Sequence, residues 1–306
     1  MSYNKQYLYK LLDGKLSSYT TKSLPGITNP IAKDCLIRQM VDSIRRIGYV
    51  KTINTKPLSP SCTDPSLTSF NPLLAASLHF RNGNQDEAFW LVFLLTHFGK
   101  NINTGWNLTR NVYGKLGNSS YWSWNNVCQD IVGFKTWLNT NQTILKSNGK
   151  VGNHRKYQSL SAYNKNGTGD AIETYINWVG GNNLHKNLIN NAINNIGTNP
   201  KDLFNYLYNS MACVRSFGRT AKFDYLTMIG KLGFINIVPN STYMQGATGP
   251  YSGGKRLFGK NESRRTIDSW LIDLEAHIGV YYGMQVLEDS ICNWNKNPVR
   301  YKYFGG

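Results

Sequence analysis

Apolar residues recur at intervals of three and four along most of the chain, which is the spacing of an α-helix. Residues 30–47 follow this pattern, and Pro30 suits the first turn of a helix. Residues 86–98 are nearly all apolar behind two acidic residues, which is typical of a central helix. The same pattern predicts further helices over residues 72–80, 124–138, 171–179, 184–196, 201–216, 220–232 and 266–293.

Patterns of alternating apolar and polar residues are weak, and residues 234–238 are the best candidate for a strand. Residues 55–72 are rich in Pro, Ser and Thr and predict a loop between helical blocks. We therefore expect a mainly α fold.

The charge is strongly one-sided, with 34 Lys and Arg against 17 Asp and Glu among 306 residues, a net charge of +17. Such an excess favours a polyanionic partner, which is DNA, RNA or an anionic membrane surface. The 13% content of aromatic residues also suits stacking on bases. The alternative is a coding bias in which lysines only solvate the surface.

Five cysteines are scattered along the chain without a Cys-x-x-Cys pair, so neither a zinc site nor a disulfide framework is indicated. We interpret them as reduced thiols in a cytoplasmic protein. The longest apolar run, residues 88–95, is too short to span a bilayer, and the first fifteen residues lack the apolar core of a signal peptide. No metal or redox cofactor and no membrane partner are implied.

Residues 214–226, the hairpin segment, read as a tight turn that opens a helix. Gly218 permits the backbone geometry of such a turn, and Thr220 is a candidate cap for the helix. A helix N-terminus directs N–H groups at an anion, and a nucleic-acid phosphate is the anion to expect here. The alternative is a helical corner without any DNA-binding role.

Two further segments are candidate phosphate contacts. Residues 249–256 carry two glycines and Lys255 at the spacing of a phosphate-binding loop, but Arg256 replaces the residue that would hold magnesium. A nucleotide triphosphatase is thereby disfavoured, which leaves a basic loop on a phosphate or a flexible surface loop. The second segment combines cations, an imidazole and an aromatic ring in a turn that could hold a backbone phosphate. It comprises Asn153, His154, Arg155, Lys156 and Tyr157. The alternative is the solvated, charged start of a helix.

The order of these segments resembles the helix-hairpin-helix DNA glycosylase superfamily. Residues 90–97 (WLVFLLTH) resemble that family's helix leading to the substrate pocket, residues 152–160 its Gly-aromatic-x-x-Lys-Ala segment, and residues 203–221 its hairpin. A closer resemblance is to the alpha-glutamyl/putrescinyl thymine pyrophosphorylase group, clade 3. It rests on residues 86–94, 152–157, 217–226, 246–250 and 283–289, and covers most of the chain.

This group is a branch of the glycosylase superfamily associated with hypermodified phage DNA, and it includes bacterial antiphage glycosylases that remove glucosylated hydroxymethylcytosine. The resemblance implies one glycosylase-like domain of two helical subdomains around a basic cleft. In it, residues 1–75 would pack with 234–306, and residues 76–233 would form a core that contains the hairpin. DNA would be gripped through Phe217, Gly218, Arg219, Thr220 and Lys222.

The chain departs from the general glycosylase pattern at two places. Arg219 stands where bifunctional members carry a lysine, and a guanidinium that stays protonated cannot form a Schiff base. We therefore expect no strand-cleaving lyase step. The general pattern also places a catalytic aspartate about 20 residues beyond the hairpin, but no acid lies between Asp224 and Glu262.

The catalytic carboxylate must therefore come from elsewhere, because cleavage of a glycosidic bond builds positive charge on the sugar. Asp224, one helical turn beyond the hairpin, is the first candidate, unless it only pairs with Arg219 or Lys222. The other candidates are Glu288, Asp289 and Asn240, of which Asn240 would orient a water.

The resemblance implies a glycosylase that flips out and excises a bulky modified pyrimidine from double-stranded DNA, leaving an abasic site. Two alternatives stay open: a pyrophosphorylase-type enzyme acting on the substituent of a hypermodified thymine, and a DNA-binding module without catalysis.

Overall fold

The structure, a computed structural model, describes residues 4–118, 120–152, 155–156 and 158–303. Within these ranges the chain forms fourteen α-helices and short 3₁₀ turns, with no β-strand, so the expectation of a mainly α fold is confirmed. The helices are α1 (Lys5–Ser18), α2 (Pro30–Ile53), α3 (Pro72–Arg81), α4 (Gln85–Phe98), α5 (Asn107–Tyr113), α6 (Trp124–Gln129), α7 (Ile131–Asn148), α8 (Thr168–Val179), α9 (His185–Ile196), α10 (Pro200–Ser210), α11 (Arg219–Lys231), α12 (Gly249–Phe258), α13 (Arg264–Ile278) and α14 (Gly283–Lys296).

Three long predicted helices end early or divide. The run over 124–138 breaks at Asp130, whose carboxylate accepts a hydrogen bond from the Gly133 N–H at 2.7 Å and so begins α7. The run over 266–293 is interrupted at Gly279, which adopts the left-handed conformation that ends α13. The run over 201–216 stops at Ser210 and continues as a 3₁₀ turn.

The predicted strand at 234–238 is wrong. The Phe234 N–H donates to the Ile229 carbonyl at 3.0 Å, which prolongs the end of α11. The Phe234 ring stacks on Phe80 with 4.3 Å between centroids. The apolar side chain of Phe234 is therefore explained by packing against a helix and not by a sheet.

By its contacts the chain divides into two compact units, which we name the terminal unit (Met1–Thr52 with Val238–Gly306) and the central unit (Ile53–Ile237). The arrangement of subdomains around a basic cleft stays a prediction.

In the terminal unit, α12 and α14 pack closely, and this contact explains the glycine-rich run over 249–256. A Cβ on Gly253 would lie 2.3 Å from the Ile291 carbonyl oxygen, so only glycine allows the two helices to approach. The expectation of a loop is therefore wrong, because these residues form a packed helix. Contact of Lys255 with a phosphate stays a prediction. Lys255, on the outside of that helix, donates to the Asn261 side-chain oxygen at 3.0 Å.

In the central unit, α4 is the core helix, as its apolar pattern predicted. Every residue from Ala88 to Phe98 is buried. The Trp90 ring is fully enclosed, and its indole N–H donates to the Trp122 carbonyl at 2.9 Å. Helix α11, which begins within the hairpin segment, packs against α4, so the core helix supports the predicted DNA-binding turn.

Candidate nucleic-acid interface

The hairpin segment connects α10 to α11 through an irregular turn whose strained residue is a serine. Ser216 has a φ of 59°, in the left-handed region, whereas Gly218 is extended with φ −68° and ψ −171°. A Cβ on Gly218 would meet no atom within 4 Å. The expectation that Gly218 is needed for the turn's backbone geometry is therefore wrong.

Gly218 is instead the N-cap residue of α11, and Thr220 lies within the first helical turn, so Thr220 is not the cap. In this described segment no side chain caps the helix, and its first turn contains no acidic residue. The first N–H groups of a helix have no partner within it, and they carry the positive end of the helix dipole. Because Gly218 is exposed, this helix end is open to a ligand.

Phe217 anchors the turn from below. It is only 3% exposed, and its ring stacks on Phe93 of α4 with 4.6 Å between centroids. It also lies parallel to the His97 ring. Only the backbone of Phe217 is therefore available for the DNA contact that the sequence predicted.

Cations border this helix end. Arg219 lies over the Phe223 ring, 5.9 Å from its centroid, and Lys222 lies over the Tyr208 ring at 4.1 Å. Burial lowers the pKa of Lys222. Lys156 is exposed.

Arg155 and Asp224 form an ion pair that joins three segments of the central unit. The Arg155 Nη2 donates to Asp224 Oδ2 at 2.8 Å, and its Nε donates to the Thr96 carbonyl at 2.7 Å. Arg155 is 8% exposed, whereas the Asp224 side chain is 42% exposed. A buried guanidinium with these partners positions Asp224, which differs from the surface phosphate contact expected of Arg155. Its predicted companions Asn153, His154 and Tyr157 lie outside the described residues.

The other candidate carboxylates belong to the terminal unit. Asp289 accepts hydrogen bonds from Ser43 at 2.8 Å and from Arg46 at 3.4 Å. Glu288 is half-buried beside it on α14. The Asn240 side-chain oxygen accepts a hydrogen bond from the Tyr243 hydroxyl at 2.8 Å. Asp224 is thus the one predicted carboxylate that shares a unit with the hairpin segment.

His97 lies under the hairpin segment and is fully buried. Its Nε2 is 3.0 Å from the Thr168 hydroxyl, and its Nδ1 has no hydrogen-bond partner among the described residues. Burial, reinforced by the charge of Arg155, lowers the pKa of His97 to about 3. The imidazole is therefore neutral at pH 7 and supports the turn without adding charge.

A cavity of about 590 Å³ opens at the other end of α4, about 20 Å from the hairpin end at 1.5 Å per residue. Asp86 lines it and accepts hydrogen bonds from the His185 N–H at 2.7 Å and Nδ1 at 2.8 Å. Burial raises the pKa of Asp86, but these bonds outweigh it and the net pKa is lowered. Burial raises the pKa of the neighbouring Glu87, against bonds from Tyr113 and Trp124.

The sequence assigned Asp86 and Glu87 only to the start of a central helix. Their carboxylates also accept hydrogen bonds from the first backbone N–H groups of two other helices. Asp86 accepts from His185 of α9, and Glu87 accepts from Trp124 of α6. This long-range capping explains the residues structurally. Nothing in the local sequence spacing reveals it.

A basic, helical protein with an open helix end bordered by cations belongs to the broad class suited to binding phosphate groups. More particularly, the chain belongs to the family described as alpha-glutamyl/putrescinyl thymine pyrophosphorylase clade 3, which matches residues 31–306. This family relates to the processing of modified thymine in phage DNA, as enzymes that act on modified bases. No curated protein and no solved structure matches the chain.

None of the helices within the described ranges has the length and hydrophobicity of a membrane span.

Proposed function

We propose that the protein is a monofunctional DNA glycosylase that flips out and excises a bulky modified pyrimidine, such as glucosylated hydroxymethylcytosine, from phage DNA in antiphage defence. The observation that carries this proposal is the open N-terminus of α11, whose N-cap residue is the exposed Gly218 and has no side chain to cap the helix. The protein belongs to a family that acts on modified bases.

In the proposed complex, a DNA phosphate lies at the start of α11. Backbone N–H groups at Gly218 and Thr220 donate to it, and Arg219 and Lys222 add positive charge. These contacts position the duplex without reading its sequence. Since a bulky modified base cannot be processed inside the stack, it is rotated out, at a cost of about a few kcal/mol that binding offsets.

The proposed chemistry is hydrolysis of the bond between the sugar C1′ and the pyrimidine N1. Water attacks C1′, the bond breaks, and its electron pair leaves with the base, which takes up a proton from solvent. Asp224 stabilises the positive charge that develops on the sugar and accepts the proton of the attacking water. Arg155 holds the Asp224 carboxylate in place through its contact with Oδ2. Arg219 cannot form a Schiff base, so the strand stays intact.

A second candidate is favoured by the family description itself, which names a thymine pyrophosphorylase. In that reaction the substituent of a hypermodified thymine would be changed while the base stays attached to its sugar.

Duplexes that carry different modified pyrimidines distinguish these activities. We expect released base and alkali-labile abasic sites on otherwise intact strands, detected by mass spectrometry and by denaturing gels after alkali. An altered base that remains attached would instead establish the second candidate. Binding without any product on every modified duplex would show a DNA-binding module without catalysis and overturn both.

Replacing Arg219 by alanine is expected to weaken DNA binding about tenfold, because one charge-assisted phosphate contact is lost. The slope of log affinity against log salt should fall in magnitude by about 0.9, the value for one phosphate contact. Lys186→Ala is the matched control, since Lys186 is an exposed cation on α9 of the same unit. An unchanged slope in Arg219→Ala would exclude the contact.

A further inference from the structure

The terminal unit carries a concentrated group of cations at the turn between α12 and α13. Five cationic residues fall between positions 255 and 265, with Glu262 as the only acid in that stretch. Two stand at the end of α12, one in the turn and two at the start of α13. We name this surface the α12–α13 patch, and its members are Lys255, Arg256, Lys260, Arg264 and Arg265.

No residue of the patch forms an ion pair with a carboxylate of the described chain, whereas other cations of the same unit do. Lys33 pairs with Asp13 at 2.6 Å, and Arg46 pairs with Asp289 at 3.4 Å. The charge of the patch is therefore not neutralised by the protein's own acids.

Two of the three acids of α13, Asp268 and Asp273, are engaged elsewhere. Asp268 accepts hydrogen bonds from Ser241 and Thr242, and Asp273 accepts one from the Tyr19 hydroxyl at 2.6 Å. These bonds direct both carboxylates to neutral donors, although Arg264 and Arg265 lie on the same helix.

The helix dipoles explain only part of the patch. Lys255 and Arg256 occupy the last turn of α12, where positive charge is stabilising. Arg264 and Arg265 occupy the first two positions of α13, where the helix dipole opposes positive charge. An anion bound at this helix start would reverse that penalty.

Tyr251 holds part of the patch in place. The Lys255 ammonium lies 4.8 Å from the Tyr251 ring centroid, and the Arg264 guanidinium lies 4.3 Å from it. The Tyr251 hydroxyl donates to the Glu262 carbonyl at 2.7 Å, which ties the ring to the turn. Two cations that would repel each other in solution are thus organised on one ring.

We propose that the α12–α13 patch binds backbone phosphates of duplex DNA and forms a contact surface additional to the hairpin segment. The inference rests on the proposed function for its partner. Five cations distributed over two helix ends and a turn suit a row of phosphates better than a single small anion.

The test uses the double variant Lys260→Ala with Arg265→Ala. Both side chains are exposed and make no hydrogen bond within the described structure, so their removal should leave the fold intact. The matched control is Lys5→Ala with Lys10→Ala, which removes two exposed cations from α1 of the same unit. Thermal melting verifies that both variants fold.

Affinity for a 25-base-pair duplex is measured by fluorescence anisotropy across a salt series. We expect the patch variant to bind at least tenfold more weakly and to lose about 1.8 from the magnitude of the salt slope, as for two phosphate contacts. The control should have the DNA affinity of the parent protein. An equal loss of affinity in both variants would show only the effect of net charge and would overturn the inference.

Unchanged DNA affinity in the patch variant would overturn the inference while leaving the proposed function intact. If the patch variant loses binding to phosphatidylglycerol vesicles but keeps its DNA affinity, the patch binds a lipid surface, and the inference is overturned as well. If the parent protein binds no duplex, with or without modified bases, the proposed function and the inference both fail.

Discussion

Replacing Asp224 by asparagine is expected to lower the rate of base release by about 10²–10⁴-fold while DNA affinity changes little. The amide keeps the shape of the side chain, and its oxygen still accepts the hydrogen bond from Arg155. The negative charge that stabilises the sugar is lost. Single-turnover release of base from a modified duplex measures the rate, and anisotropy measures the affinity.

Asp202→Asn is the control for this experiment, because Asp202 is an exposed acid on the adjacent helix α10. It should retain full activity. Normal turnover in Asp224→Asn would contradict the assignment and transfer the role to the acids of α14, which Asp289→Asn then tests.

Replacing Phe217 by alanine is expected to lower the free energy of unfolding by about 3–5 kcal/mol. The ring is buried against Phe93 and beside His97, so its removal leaves a cavity under the turn. The start of α11 should lose its support, and DNA affinity should fall with it. Urea unfolding followed by tryptophan fluorescence measures the change in stability.

Two further variants test whether the loss of stability comes from the buried packing of Phe217 or from the removal of any aromatic ring. Phe217→Leu keeps most of the buried volume and should cost much less than alanine. Tyr163→Ala removes a ring that is 61% exposed and should be nearly neutral. A small effect of Phe217→Ala on stability, together with a large loss of DNA binding, would show that the ring itself contacts DNA and would contradict its packing against Phe93 and His97.

The helical fold was predictable because a helix repeats its apolar face every three to four residues over many residues. Helix α4 shows how robust that signal is, since a run that is apolar on all sides has to be buried. The glycine-rich run of α12 misled the interpretation because its glycines serve a close helix contact. That requirement depends on Ile291, which is 38 residues away in the sequence, and local spacing does not report it.

The candidate site was predictable only in outline. A turn before a helix and a neighbouring acid are both local patterns, so the local sequence predicts the hairpin segment and Asp224 together. The partner of Asp224 was not, because Arg155 reaches it from a different segment and looked like a surface cation. Asp86 shows the same limitation, since its capping of α9 spans 99 residues of sequence.

The conformation of the turn has a practical consequence for engineering. Ser216 supplies the left-handed backbone that reverses the chain, while Gly218 contributes only a bare surface two residues later. The bend of the chain and the accessibility of the α11 start are thus determined at separate positions. A methyl group added at position 218 would restrict the approach of ligands to the α11 start and leave the bend at Ser216 unchanged.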